Sequence, residues 1–117
     1  MDHFPDFMKN SANAIDPRLQ SKGVKGYVFD GADGSQMAFW ESDFDVVSTE
    51  HVHPYDEYFL VAQGEYMLII AGKRIRLTAG QEYHIPAGVP HAGESPAGTR
   101  TIHAFGGRRA ERAGQNL

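Results

Sequence analysis

The stretch His51-Val52-His53-Pro54-Tyr55-Asp56-Glu57, answered further along by Pro86-Ala87-Gly88-Val89-Pro90-His91, decides how this chain is read. On an extended strand, side chains i and i+2 share a face, so His51 and His53 aim two imidazoles at one point. Glu57, past a break at Pro54, supplies an anionic oxygen from the next strand. Nothing local ties His91 to the others, so a strand brought alongside by the fold has to deliver it. Three imidazoles and one carboxylate suit a divalent first-row transition metal. The expected cofactor is one such ion, and Mn, Fe, Co, Ni, Cu and Zn all accept this ligand set.

The same residues resemble the two motifs of the cupin superfamily. The first motif is matched at His51, His53, Glu57 and Gly64, and the second at Gly80, Pro86, Gly88 and His91, all at the family's spacings. Asp45 stands where the family has a leading Gly, and Ser95 where it has a closing Asn; neither is a ligand position. The resemblance covers residues 51–91 directly. It implies an antiparallel β-barrel or sandwich closed as a jelly roll, with the metal held by His51, His53, Glu57 and His91. Proteins of this kind include dioxygenases, isomerases, lyases and non-catalytic ligand-binding modules.

At 117 residues the chain can bury one core. It carries a single His-x-His and a single Pro-x-Gly-x-x-His, which implies one barrel. With no cysteine there is neither a disulfide framework nor a thiolate ligand, and a reducing, cytoplasmic location is expected. No basic segment followed by an apolar run opens the chain, and the longest apolar run, residues 66–71, is too short to cross a bilayer. A net charge of −4 argues against a nucleic-acid footprint. Arg108, Arg109 and Arg112, with Glu111 among them, read as a solvated terminal segment, the alternative being a docking patch for an acidic partner.

The expected organisation is an N-terminal arm (residues 1–22), a β-barrel (23–107) and a C-terminal tail (108–117). Within the arm, Phe4, Phe7 and Met8 have the spacing of one helical turn, interrupted by Pro5. From residue 24 the pattern is β throughout, with strands expected at 24–29, 36–40, 44–53, 57–62, 66–70, 73–78, 81–85 and 99–105. Ala71-Gly72 reads as a two-residue hairpin, either a type I′ turn or a type I turn with a G1 bulge. Tyr58, Leu60 and Ala62, together with apolar residues on both faces of 66–70, exceed what one small core hides. A homodimer is therefore expected, with the arm as the other possible cover.

Outside the motifs, His103 and Tyr55 are the candidate catalytic residues. If Thr101, His103 and Phe105 face inward, His103 borders the cavity as a hydrogen-bond donor to a ligand residue or as a proton shuttle; if Ile102 and Ala104 do, it is a surface histidine. Tyr55 either hydrogen-bonds a ligand or packs as a loop aromatic. His84 is expected on the surface, and Trp40, Phe39 and Phe59 in the core or pocket wall. Four protein ligands leave open positions on a six-coordinate metal. The expectation is thus a small metal-dependent enzyme acting on a polar, oxygenated small molecule, the rivals being a binding or sensing module anchored by the metal and a purely structural metal.

Overall fold

Strands with one apolar face pair until that face is covered, and this chain does so twice. The computed structural model describes residues 1–113, and among them are β1 (Val24–Asp30), β2 (Gln36–Ser42), β3 (Val46–His51), β4 (Glu57–Gln63) and β5 (Glu65–Ile70). The remaining strands are β6 (Lys73–Thr78), β7 (Glu82–Ile85), β8 (His91–Ser95) and β9 (Arg100–Phe105). One sheet runs β1-β2-β9-β4-β7 and the other β3-β8-β5-β6, with antiparallel pairing throughout. The all-β antiparallel sandwich expected from the sequence is the fold observed. Strand β8 had no expected bounds, because His91-Ala92-Gly93-Glu94-Ser95 lacks apolar alternation.

The inward faces meet in two apolar clusters. Phe59, Val61, Leu68, Ile70, Leu77 and Ile85 form one; Ile15, Val28, Ala38, Phe105 and Ala110 form the other. Phe59 and Leu68 are at most 1% exposed, and burying each such side chain contributes about 1.5–3 kcal/mol. Both clusters lend walls to one pocket, Phe59 and Ile85 from the first and Phe105 from the second. Strand β9 resolves the open register: Thr101, His103 and Phe105 are buried, while Ile102 and Ala104 are only half-buried.

The arm contains three 3₁₀ turns, Asp6–Lys9, Ser11–Asn13 and Pro17–Leu19. Phe4 is buried against the outer face of β1 and β2, its ring edge-on to Phe39 at 5.8 Å, and Phe39 in turn meets Phe29 at 5.5 Å. Phe39 therefore lies neither in the barrel core nor on the pocket wall, because β2 turns Gln36, Ala38 and Trp40 inward and Phe39 the other way. The spacing of Phe4, Phe7 and Met8 does not mark a buried helical face, since Phe7 is 80% exposed. Farther along, Ala14 pairs with Tyr27 of β1, and Ile15 pairs with Arg112. The edge of the larger sheet is thereby covered rather than left as a template for aggregation.

Residues 108–113 depart from the solvated segment read from their charges. Ala110 is 2% exposed, and the Arg112 guanidinium reaches Asp30 Oδ2 at 2.6 Å and the Val28 carbonyl at 2.9 Å. The physical reason is Gln36, 2% exposed, whose Oε1 accepts from the Arg109 and Ala110 amides at 2.7 and 2.9 Å. Its Nε2 donates to the Ala110 carbonyl at 3.1 Å. Residues 114–117 of the expected tail lie outside the described residues.

Strands β5 and β6 are joined at Ala71-Gly72, with Ile70 paired to Lys73 and both turn residues at positive φ (52° and 74°). That is the type I′ choice, and it puts an alanine where Asn is preferred. Ala71→Asn should stabilise the protein by about 1 kcal/mol, seen as a higher denaturation midpoint at unchanged m-value. Gln36→Ala, which strips partners from two amides, should cost about 1–3 kcal/mol and lower hydrogen-exchange protection at Arg109 and Ala110.

Candidate metal centre

Strand pairing assembles the site. In the β3/β8 ladder His51 stands directly opposite His91, and a register irregularity between Ser48 and His51 turns the end of β3 into the loop that carries His53. Glu57 opens β4. The loop before β8 is tied to the His53 loop by two contacts, Gly88 N–H to the His53 carbonyl at 2.8 Å and Ala87 N–H to Asp56 Oδ1 at 2.9 Å. The two sequence motifs are thus hydrogen-bonded to each other.

The potential ligand atoms of His51, His53, Glu57 and His91 all lie within 4.8 Å of one another. Ligand atoms across a first-row ion are separated by about 4.2 Å, twice a bond length, so the cluster has nearly the span of one ligand sphere. Tautomers point the same way. His51 Nδ1 is 2.8 Å from the Thr49 carbonyl and His91 Nδ1 is 3.0 Å from the Val89 carbonyl. A carbonyl only accepts, so each Nδ1 carries hydrogen and each Nε2 is left to offer its lone pair to the cluster. Among the described residues, His53 Nε2, Glu57 Oε1 and His91 Nε2 are buried without a hydrogen-bond partner. Native proteins rarely leave such atoms unsatisfied, and one cation at this point satisfies all three.

Glu57 is buried, 6% exposed. Burial pushes its carboxyl toward the neutral form, but the imidazoles of His103, His53 and His91 outweigh that and hold it below the usual carboxylate range. Burial likewise pushes His91 down, yet Glu57 and the Val89 carbonyl more than compensate and its pKa is raised. His51, whose burial dominates, is lowered. Positive charge is drawn to the point the three unpartnered atoms face.

His103 is 7% exposed and borders the pocket, where its Nδ1 lies 2.8 Å from Glu57 Oε2 and its Nε2 2.9 Å from Thr101 Oγ1. An ionised carboxylate only accepts, so Nδ1 donates to Glu57. Both ring nitrogens are engaged, which makes this imidazole a support for Glu57. Tyr55 does not line the pocket. Its ring stacks on His53 with centroids 5.0 Å apart and 8° between planes, and its hydroxyl faces the Arg108 carbonyl at 3.5 Å. His84 is exposed and meets Asp56 at 2.9 Å.

The residue reading missed several contributors. Tyr66 brings its hydroxyl to the pocket beside Ser48, and burial pushes its pKa up to about 12. Its space exists only because residue 93 is glycine: a Cβ there would sit 1.8 Å from the hydroxyl oxygen. Thr101, two residues before His103 on the same strand face, is the one such contributor whose role the sequence signals locally. Trp40, expected in the core or pocket wall, lines the pocket; the unforeseen contributor is Gln20 of the arm, whose Oε1 accepts the indole N–H at 2.9 Å at the rim. Arg109 lines the same pocket from the C-terminal segment, with no local sequence signal at all.

The profile of the Cupin domain family (Cupin_2) matches residues 43–104. A search of curated protein sequences gives no match. Among solved structures, an RmlC-like cupin from Shewanella frigidimarina is similar at 24% identity, with 74% of this chain and 78% of that one covered and a TM-score of 0.68. KdgF from Halomonas sp. gives 21% identity, 82% and 93% coverage and a TM-score of 0.66. The polyketide cyclase RemF from Streptomyces resistomycificus gives 20%, 90% and 78%, and 0.65. At these identities the structural likeness carries the fold alone. The family profile spans both histidine motifs and more than half of the chain, and the protein belongs to the cupin domain family.

Proposed function

We propose that His51, His53, Glu57 and His91 hold one divalent transition metal and that the protein is a small metal-dependent enzyme acting on a polar, oxygenated small molecule. One observation carries this reading: three buried, unpartnered atoms, His53 Nε2, Glu57 Oε1 and His91 Nε2, converge with a third imidazole, that of His51, beside a pocket of about 110 Å³. A metal bound there supplies Lewis-acid or redox chemistry toward an oxygenated ligand.

The chain's own residues divide the remaining work. Glu57 presents Oε1 to the centre while His103, braced by Thr101, fixes Oε2 and thereby the carboxylate plane. Tyr66, neutral at physiological pH, is a hydrogen-bond donor for a ligand oxygen. Phe59, Phe105 and Trp40 supply apolar walls that exclude water and strengthen those polar contacts. Tyr55, stacked on His53, holds that ring in place. The fold accommodates catalysis in RemF, a polyketide cyclase, although that likeness does not extend to a substrate.

The reading includes a cytoplasmic homodimer. Support comes from the absence of cysteine and from exposed apolar residues on the barrel, among them Phe44 (64%), Val47 (70%) and Tyr58 (38%). No helix among the described residues is long and apolar enough to cross a membrane. A monomer in sedimentation at micromolar concentration contradicts the dimer.

His53→Ala should lower metal content sharply by elemental analysis while far-UV circular dichroism stays β-rich; full occupancy in that variant removes His53 from the centre. His103→Leu should weaken metal affinity about 10–100-fold in competition with a chelator, because it frees the oxygen that orients Glu57. Chelation should abolish turnover without unfolding. Metal-loaded protein that binds organic anions in calorimetry yet converts none, with or without dioxygen, is a binding module instead.

A further inference from the structure

Of the three arginines in the C-terminal cluster, two are neutralised. Arg108 pairs with Glu111 at 3.1 Å and Arg112 with Asp30 at 2.6 Å. Arg109, between them, has no carboxylate partner among the described residues; its guanidinium reaches only the Leu19 carbonyl, at 3.4 Å. It lies instead over apolar rings, 5.8 Å from the Trp40 centroid and 6.0 Å from that of Phe105, on the wall of the pocket that also contains Glu57 and His91. Its place is enforced from below. The Arg109 amide donates to Gln36 Oε1 at 2.7 Å, and Gln36 Nε2 is held at 2.8 Å by Asp30.

A half-buried guanidinium held only by one long carbonyl contact and two ring faces keeps most of its N–H donors and its whole charge available to an anion. Its planar fork matches a carboxylate through two parallel N–H···O bonds. Across the pocket, three neutral imidazoles and one carboxylate leave a bound divalent ion with a net charge of about +1. With such an ion bound, two cationic groups would line one cavity, Arg109 being the one seated on the Trp40 and Phe105 rings.

Resting on the metal-centre reading above, we propose that Arg109 is the anion-binding residue of this pocket and that the ligand is a small organic acid. One carboxylate of that acid is held by the Arg109 guanidinium, while oxygen donors at its other end face His51, His53, Glu57 and His91. The class is that of short dicarboxylates and of hydroxy or oxo acids bearing a second acidic group. Neutral sugars and alcohols leave Arg109 unpaired and are rejected on that account.

The experiment is calorimetry on metal-loaded wild type, Arg109→Gln and Arg109→Lys. The probes are oxalate, malonate, succinate and glutarate, and the mono-amide of whichever diacid binds best. Wild type should prefer that diacid over its mono-amide by about 10–100-fold, the worth of one charge-assisted contact. Arg109→Gln should abolish the preference with metal content unchanged, and Arg109→Lys should restore part of it. A preference that survives in Arg109→Gln, or failure of every diacid to bind metal-loaded wild type at millimolar concentration, overturns the proposal. Near-UV circular dichroism of Trp40 reports whether the wall is intact in each variant, and a structural loss alone would not erase the diacid-to-amide ratio selectively. If wild type takes up no metal, the metal-centre reading fails by itself. The same titrations on that metal-free protein then decide Arg109 separately: diacid binding lost in Arg109→Gln supports it, and binding that is absent or unchanged overturns it.

Discussion

One carboxylate buried among imidazoles is the constraint on which the rest of this structure depends. Removing an ionised Glu57 from water costs several kcal/mol unless its oxygens are satisfied. Oε2 is satisfied by His103 at 2.8 Å, and His103 is in turn held by Thr101. Oε1 is left to a charge shared with His53 and His91, which approach it at 3.4 and 3.3 Å. Each requirement propagates outward. His91 keeps its lone pair on the inner side because its other nitrogen, Nδ1–H, donates to the Val89 carbonyl, and that carbonyl is set by the turn before β8. The turn is itself hydrogen-bonded to the His53 loop.

The terminal segments finish what the sheets begin. The two β-sheets supply most of the apolar clusters, and the arm and C-terminal segment complete the second with Ile15 and Ala110. Residues 14 and 15 pair with β1 and with Arg112, and Gln20 anchors Trp40. Gln36 clamps the chain after β9 so that Arg109 lies over the aromatic wall. The His/Glu cluster thus belongs to the barrel and the loop between its strands, while Gln20 and Arg109 at the rim come from the terminal segments. Such a division suits a fold whose scaffold serves many ligands.

The sequence was legible where physics is local. His51, His53 and Glu57 lie within seven residues, and strand periodicity with one turn places them; His91 came from a second motif whose spacing matched. The strands followed from alternation. What could not be read depended on contacts between distant segments. The register of His103 needed β4 and β2 on either side of β9, since each face of its own strand mixes polar and apolar residues. Arg109 looked like part of a charge run because its partners are aromatic rings sixty-nine and four residues away in the chain, not neighbouring carboxylates. Phe39 was misplaced because an aromatic residue on the outer face, covered by Phe4 of the arm, has the same local signature as one in the core.

The proposed metal centre is tested most directly by X-ray absorption at the edge of whatever divalent ion the purified protein takes up. Ligation by His51, His53, Glu57 and His91 predicts nearest neighbours that are nitrogen and oxygen only, with the multiple-scattering pattern of three imidazole rings that drops to two in His91→Ala. Sulfur among the nearest neighbours, or an imidazole pattern unchanged by that substitution, would contradict it.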